Sequence, residues 1–237
     1  MNSFLWVDES WKRQDFDFLS LSDRNGIYET MLVVDGEIKN KTEHEKRFIA
    51  GCEFLKLPNL PGPNPPEGLL GEWTLRWARW HGCPMGNLGH LWKGSLQPIQ
   101  SGFLNVGLVS VNAVPKVPSL NVKHLQLLER VKIKQKIKEK YGWDDYLVVD
   151  NDSVLEGSNW ALMLLKEGKW VVPKFTKGLL KSTTIKSYLN LGKFEDRILI
   201  QQKISLNDLK ESKDIRGPSS SGVRKIKIIS NSILDSV

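Results

Sequence analysis

Lys123, Glu156 and the hydroxyl-rich turn Ser182-Thr183-Thr184 are the residues of this chain whose types and order could carry out chemistry. A lysine amine can bond to a carbonyl carbon and can then move protons at neighbouring carbons. A carboxylate can hold the proton of a ring nitrogen, and hydroxyls at the start of a helix can bind a phosphate. Together these groups are what a phosphorylated carbonyl cofactor requires, and pyridoxal 5'-phosphate fits that description.

The segments around these residues, in their order and spacing, resemble the fold type IV pyridoxal phosphate enzymes, also called the class IV aminotransferase family. This family includes branched-chain and D-amino acid aminotransferases and aminodeoxychorismate lyase. The resembling segments span almost the whole chain: Ser22-Asp-Arg24, Ile27-Tyr-Glu-Thr30, the turn from Val33 to Gly36, His44-Glu-Lys-Arg47, Trp77-Ala-Arg79, the run after Lys123, Asp144 to Asp150, Val154-Leu-Glu156 and Leu180 to Thr184.

The resemblance implies a role for each matched residue. Lys123 looks like the Schiff-base lysine, and Glu156 looks like the partner of the pyridine nitrogen. The implied ligands of the cofactor phosphate are Arg47, Thr183, Thr184 and Ser220, and the residues implied to face the substrate are Arg79 and Thr30. A homodimer is also implied by the resemblance.

The residues that follow the lysine indicate a branch of the family. Lys123-His-Leu-Gln-Leu-Leu-Glu129 resembles the Lys-His-Leu-x-x-Leu-Glu of aminodeoxychorismate lyases, whereas branched-chain aminotransferases have a glycine pair and a tyrosine after the lysine. The implied reaction converts 4-amino-4-deoxychorismate to 4-aminobenzoate and pyruvate, in folate synthesis. Lys123 would act first as base and then as acid.

Two alternatives stay open beside the lyase. One is an amino acid aminotransferase of the same family, specific for branched-chain or D-amino acids. The other is a catalytically reduced relative, because the chain departs from the family pattern in three places. Only Asn25-Gly26 separates Arg24 from Ile27, Ala161 stands where the family has asparagine, and Lys181-Ser182 replaces the usual Pro-Gly.

The implied fold is α/β with two domains. We expect a small N-terminal domain over residues 1–110, an interdomain linker over 111–120, and a larger cofactor-binding domain with a barrel-like sheet over 121–237. The linker prediction depends on two prolines and few charges in that stretch.

Local patterns predict the elements that must position the site. Asp35-Gly36 between apolar runs predicts a hairpin, and Thr42 with Glu45 predicts a capping box for a helix over residues 43–55. Further strands are predicted at residues 4–7, 16–21, 72–80, 103–114, 146–149, 160–165 and 169–172. Helices are predicted at residues 119–141 and 182–191, and loops at 58–68, 81–102 and 217–222.

Composition limits the class of protein. The 237 residues, 40% of them hydrophobic, can build a packed core, and two cysteines are too few for a disulfide framework. Neither cysteine lies in a close cysteine or histidine pair of the kind that indicates structural zinc. We therefore expect a cytoplasmic protein with no metal and no signal or membrane segment. The net charge of +7 and the lysine run over 132–140 also suit a nucleic-acid-binding module. No aromatic residues interleave with that run, so the run indicates a solvated helix face instead.

Overall fold

The computed structural model of the chain describes residues 3–7, 9–83, 86–93, 102–116, 118–119, 121–176 and 179–237. The chain divides into two compact units. The first comprises residues 1–98 together with 121–128, and the second comprises 99–120 together with 129–237. This division differs from the predicted boundaries at 110 and 121, because the strand before the predicted linker belongs to the second unit and the segment with Lys123 belongs to the first. Residues 117 and 120 of the predicted linker lie outside the described residues.

The described part of the first unit is an antiparallel sheet with one α-helix. Its elements are β1 (Ser3–Val7), β2 (Ser10–Arg13), β3 (Gly26–Val34), β4 (Glu37–Ile38), α1 (Lys41–Leu55), β5 (Glu72–Trp80) and β6 (Leu88–Trp92). The strand order is β2-β1-β6-β5-β3-β4. Phe48 and Cys52 of α1 pack with Met31, Leu75 and Trp77, so α1 covers one face of the sheet.

The hairpin prediction is confirmed, and the helix after it begins earlier than predicted. Asp35 and Gly36 have positive φ values of 49° and 80° and connect β3 to β4. Helix α1 starts at Lys41 after Asn40, whose side chain makes no capping hydrogen bond. Thr42 therefore lies inside the helix, and the predicted capping box does not form.

Two predicted segments of the first unit differ in the structure. Residues 16–21 are not a strand, because the Asp17 carboxylate accepts the Leu19 N–H and begins a 3-10 helix over Phe18–Leu21. The predicted loop over 81–102 contains β6, which pairs with both β1 and β5. Residues 84–85 and 94–101 of that prediction lie outside the described residues.

The second unit contains a mixed sheet. Its elements are β7 (Leu104–Ser110), α2 (Glu129–Tyr141), β8 (Asp145–Asp150), β9 (Ser153–Gly157), β10 (Met163–Lys166), β11 (Lys169–Pro173), α3 (Thr183–Leu191), β12 (Lys193–Phe194), β13 (Arg197–Gln202), α4 (Leu206–Glu211), β14 (Ile215–Ser219) and β15 (Gly222–Leu234). The nine-stranded order is β12-β13-β11-β10-β14-β15-β7-β8-β9. Strand β7 runs parallel to both β8 and β15.

Several predictions for the second half need adjustment. The helix predicted over 119–141 is a 3-10 turn at Leu125–Leu128 followed by α2, and the unit boundary falls between the two. The strand predicted over 103–114 stops at Ser110, because the Ser110 hydroxyl accepts the Asn112 N–H and begins a 3-10 turn. Strand β9, which carries Glu156, was not predicted. The strands at 146–149 and 169–172 and the helix at 182–191 are confirmed.

Candidate active site

Lys123 lies in a segment that runs beside β3. The Tyr28 N–H donates to the Lys123 carbonyl at 2.9 Å, and His124 forms an antiparallel bridge with Ile27. Val122 is buried in the core of the first unit. The half-buried Lys123 side chain places Nζ 4.5 Å from the centre of the Tyr28 ring. The amine singled out by the sequence is therefore held close to the start of β3.

His124 anchors this segment through its ring. The Gln126 N–H donates to Nδ1 at 3.1 Å, so Nε2 carries the proton and donates to Asn25 Oδ1 at 3.2 Å. Burial lowers the pKa of His124, which favours the neutral ring. Asn25, in the short connection before β3, thus helps to fix the backbone next to Lys123.

Arg47, the predicted phosphate arginine, projects from α1 onto a buried carboxylate of β3. Its Nε and Nη2 atoms donate to the two oxygens of Glu29 at 2.5 and 2.6 Å, and His44 Nδ1 lies 2.8 Å from Glu29 Oε2. The His-x-x-Arg spacing puts both side chains on one helix face. Glu29 is fully buried. The sequence analysis did not identify Glu29 as the partner of Arg47.

The surroundings of Glu29 keep its carboxylate ionised. Burial alone raises the pKa of Glu29, but the charge and hydrogen bonds of Arg47, with a smaller contribution from His44, lower it well below its usual range. The bidentate pair also fixes the plane of the guanidinium. A fixed cation of this kind suits a phosphate better than a mobile one, because less conformational entropy is lost on binding.

The strand register of β3 and β5 decides which predicted residues share a face. Thr30 pairs directly with Arg76, and Tyr28 pairs with Ala78. Directly paired residues lie on the same face of a sheet, so Arg76 is on the face of Tyr28 and Thr30. Arg79 is an odd number of residues from Arg76, and it projects from the opposite face. The sheet does not bring Arg79 to the face of Thr30.

Arg79 makes contacts that hold a loop. Its Nε donates to the Gly86 carbonyl at 2.8 Å, its Nη2 donates to the Leu60 carbonyl at 3.0 Å, and Nη2 also bonds to Asn87 Oδ1. Arg79 is 1% exposed. These bonds join the loop over residues 58–68, which contains Leu60, to the end of β5. Arg79 therefore has a structural role in this unit.

Arg76 is a cation that sequence reasoning missed. Its guanidinium carbon lies 4.9 Å from the centre of the Phe18 ring and 4.6 Å from that of Trp92. Its Nε atom is shielded from solvent and has no hydrogen-bond partner among the described residues. Burial lowers the pKa of neighbouring His90 to about 4, and the Arg76 charge adds to this shift. His90 is therefore neutral, and Arg76 contributes a positive charge to this face.

Glu156 lies on β9 in the second unit and is buried. Its Oε1 accepts a hydrogen bond from Arg130 Nη1 at 2.6 Å. Its backbone bridges to Ala161, and the Ala161 N–H donates to the Pro218 carbonyl at 2.9 Å. Glu156 is thereby linked to the β14 strand that leads into the turn with Ser220. Arg130 was also missed, although a charged residue in the apolar stripe of α2, in line with Ile133 and Ile137, is an available signal.

Thr183 and Thr184 occupy the first turn of α3, as predicted from the sequence. The Ser182 hydroxyl accepts the Ile185 N–H at 3.3 Å and caps the helix. In a first turn the backbone N–H groups have no carbonyl partner within the helix, and the helix dipole favours an anion there. Both threonines are buried, with 5% and 8% exposure. A capped, hydroxyl-bearing helix start of this kind can bind a phosphate.

Ser220 lies in the tight turn between β14 and β15 and is half-buried. The neighbouring Ser219 hydroxyl accepts the Ser221 N–H at 3.3 Å and shapes the turn. The second unit thus contains Glu156, Thr183, Thr184 and Ser220, whereas Lys123, Arg47, Thr30 and Arg79 belong to the first.

Comparison with known families decides the identity of this arrangement. Residues 92–229, more than half of the chain, match the family described as amino-transferase class IV. The chain belongs to the class IV aminotransferase family. This is an enzyme family that depends on pyridoxal 5'-phosphate, so the predicted family and cofactor are confirmed, as is the prediction that the chain is an enzyme. Among curated protein sequences, none is similar enough to match this chain.

Solved structures of class IV aminotransferases share the fold. The fold IV transaminase CpuTA1 from Curtobacterium pusillum has a TM-score of 0.74 at 18% identity, covering 97% of this chain and 93% of its own. A hypothetical aminotransferase from Mycobacterium tuberculosis, in its PLP-bound form, has a TM-score of 0.76 at 14% identity, covering 100% and 94%. The branched-chain amino acid aminotransferase of Escherichia coli has a TM-score of 0.75 at 13% identity, covering 98% and 88%. The predicted fold class is confirmed.

The donor set suits the cofactor of class IV aminotransferases. The chain offers a half-buried amine at Lys123, a buried carboxylate at Glu156 and a capped helix start at Thr183 and Thr184. These are the three kinds of group that the aldehyde, the ring nitrogen and the phosphate require. No helix in the described part of the chain is long and apolar enough to cross a membrane.

Proposed function

We propose that the chain is an aminodeoxychorismate lyase, which converts 4-amino-4-deoxychorismate to 4-aminobenzoate and pyruvate. The observation that carries the proposal is the packing of the motif Lys123-His-Leu-x-x-Leu-Glu. His124 and the motif leucines Leu125 and Leu128 are buried, while the Lys123 side chain alone is directed to the ring of Tyr28. The motif that resembles the lyase branch therefore serves to place one amine.

When bound, pyridoxal phosphate would supply an electron sink for the substrate carbon next to the nitrogen. Lys123 Nζ removes the proton from that ring carbon and returns a proton as the enolpyruvyl group departs. Glu156 binds the pyridine nitrogen. Arg47, Thr183, Thr184 and Ser220 bind the phosphate. The reaction consumes no second substrate, because the atoms of 4-aminobenzoate and pyruvate together are those of the starting material.

Arg76 extends the proposal to substrate recognition. The substrate carries carboxylates, and each needs a cation or several N–H donors when it leaves water. Arg76 is a cation of β5 on the sheet face of Tyr28 and Thr30, and its Nε has no hydrogen-bond partner among the described residues. We therefore assign Arg76 to a substrate carboxylate and Thr30 to a neighbouring polar contact, and we leave Arg79 its structural role.

The proposed assembly is a homodimer, which light scattering of the purified protein tests directly.

An amino acid aminotransferase is the second candidate, because the solved structures that share the fold are described as aminotransferases. Two assays separate the candidates. Pyruvate release from aminodeoxychorismate reports the lyase, and transfer of an amino group to 2-oxoglutarate reports the transaminase. Transfer without pyruvate release overturns the lyase assignment.

The Lys123→Ala variant tests the amine. With added pyridoxal phosphate we expect the wild-type protein to show an absorbance band near about 410–430 nm. The variant should lose this band and all pyruvate release, because it lacks the amine that forms the Schiff base and moves the proton. Lys136→Ala removes an exposed lysine of α2 and is the matched control. A wild-type protein with no band and neither activity contradicts the proposed function.

A further inference from the structure

The contact between Arg130 and Glu156 joins a buried cation to the carboxylate proposed to hold the pyridine nitrogen. Arg130 is 3% exposed and lies on α2. Its Nε and Nη2 atoms donate to the Pro115 carbonyl at 3.2 and 3.1 Å, and its Nη1 donates to Glu156 Oε1 at 2.6 Å. One edge of the planar guanidinium is thus fixed to the backbone, and the remaining nitrogen is directed to the carboxylate.

This geometry restricts how Glu156 can turn. An arginine fork is rigid and presents its N–H groups in one plane, so its anchorage at Pro115 is transmitted to the carboxylate that it contacts. A carboxylate has about four acceptor positions, and the bond from Arg130 occupies one of them. A ring N–H can therefore be accepted by Glu156 while the bond to Arg130 persists.

Fold stability alone does not account well for this pair. Removing two charges from water is costly, and a buried ion pair is often no more stabilising than apolar side chains of the same volume. Ile133 and Ile137 continue the stripe of α2 on which Arg130 lies, so an apolar residue at position 130 would continue the pattern of this helix. A group that fixes the direction of a functional carboxylate is a more specific use of the buried charge.

We propose that Arg130 is the positioning residue of the cofactor site: it holds Glu156 in the orientation that binds the pyridine nitrogen, without touching the cofactor itself. The inference rests on the role proposed above for Glu156. It adds a residue on a different element, α2, to the cofactor site of the second unit.

A double-mutant cycle tests the proposal, with the dissociation constant of pyridoxal phosphate as the readout. The proteins are the wild type, Arg130→Gln, Glu156→Gln and the double variant, each titrated with cofactor and followed by absorbance. We expect Arg130→Gln to weaken binding about 10–100-fold, as is usual for residues that orient a ligand-binding side chain. In the Glu156→Gln background the same change should have almost no further effect, because Arg130 acts through Glu156.

Two further variants, together with melting temperatures, separate positioning from folding. Arg130→Lys keeps the positive charge, so the variant should fold. A lysine cannot contact Pro115 and Glu156 at the same time as the arginine fork does, so the variant should bind the cofactor less tightly than the wild type. Lys134 lies on the same helix as Arg130 and pairs with Asp145 of β8 at 2.7 Å; Lys134→Met removes this pair, is the matched control and should leave cofactor affinity unchanged. Melting temperatures of the cofactor-free proteins show any loss of fold.

The outcomes are distinct. Additive losses in the cycle, or unchanged affinity in both Arg130 variants, overturn the positioning role. A wild-type protein that binds no pyridoxal phosphate instead overturns the proposed function.

Discussion

Glu29→Gln removes the buried charge on which the side chains of Arg47 and His44 converge. The Glu29 carboxylate is fully buried, and it accepts bonds from Arg47 at 2.5 and 2.6 Å beside His44 at 2.8 Å. Removing one partner of a buried ion pair usually costs about 3–5 kcal/mol, because the other charge stays buried without compensation. We expect a loss of that size in the free energy of unfolding at pH 7.

The effect of the same variant on stability should also depend on pH. The pKa of Glu29 is lowered from its ordinary value of 4.5, so its stabilising contribution is complete above that value and declines as the pH falls towards the native pKa. Each pH unit in this window removes about 1.4 kcal/mol. The difference between the wild type and Glu29→Gln should therefore shrink by about 2 kcal/mol between pH 7 and pH 3.

Urea unfolding followed by tryptophan fluorescence measures both quantities, since the chain has nine tryptophans. Glu37→Gln is the matched control, because Glu37 pairs with Lys39 at 3.2 Å but is 80% exposed. The control should change stability by less than about 0.5 kcal/mol. A loss below about 1 kcal/mol for Glu29→Gln, or a difference that does not change with pH, would refute the reasoning.

Two further contrasts follow from the site. Arg76→Leu should raise the KM for a carboxylate substrate about 10–100-fold, whereas Arg79→Leu should lower stability by about 1–3 kcal/mol because its carbonyl partners stay buried. Steady-state kinetics and urea unfolding of both variants check this contrast. The reverse pattern would contradict the assignment of Arg76 to the face of Thr30. Ser182→Ala should lower the free energy of unfolding by about 1 kcal/mol and weaken the binding of pyridoxal phosphate at Thr183. Ser205→Ala removes the equivalent cap of α4, so it should lower stability by a similar amount and leave cofactor affinity unchanged. Equal affinities in the two variants would argue against phosphate binding at α3.

Local chemistry made several elements predictable from the sequence. Asp35-Gly36 favours a tight turn whatever surrounds it, and the Ser182 hydroxyl can cap α3 because its partner lies three residues away. The family resemblance supplied Lys123 and Glu156 with their expected roles. These signals all depend on near neighbours or on a matched motif.

Partners chosen by the tertiary fold were not predictable in the same way. Glu29 meets Arg47, and Arg130 meets Glu156, only because a helix packs against a distant strand. Strand β6 forms because β1 and β5 flank it, although its own sequence indicates a loop. The substrate role of Arg79 was implied by the family resemblance, which does not say on which face of the sheet a side chain lies. The register of β3 with β5 puts Arg76, and not Arg79, on the face of Thr30.

The pairing of β7 with β15 has a consequence for synthesis of the protein on the ribosome. Strand β7 precedes the other described strands of the nine-stranded sheet in the chain, and β15 follows all of them. Until β15 has emerged, one edge of β7 is an unpaired row of N–H and C=O groups that another nascent chain can join. The second unit therefore completes its sheet only after translation of β15, and we expect chaperone dependence at this late stage.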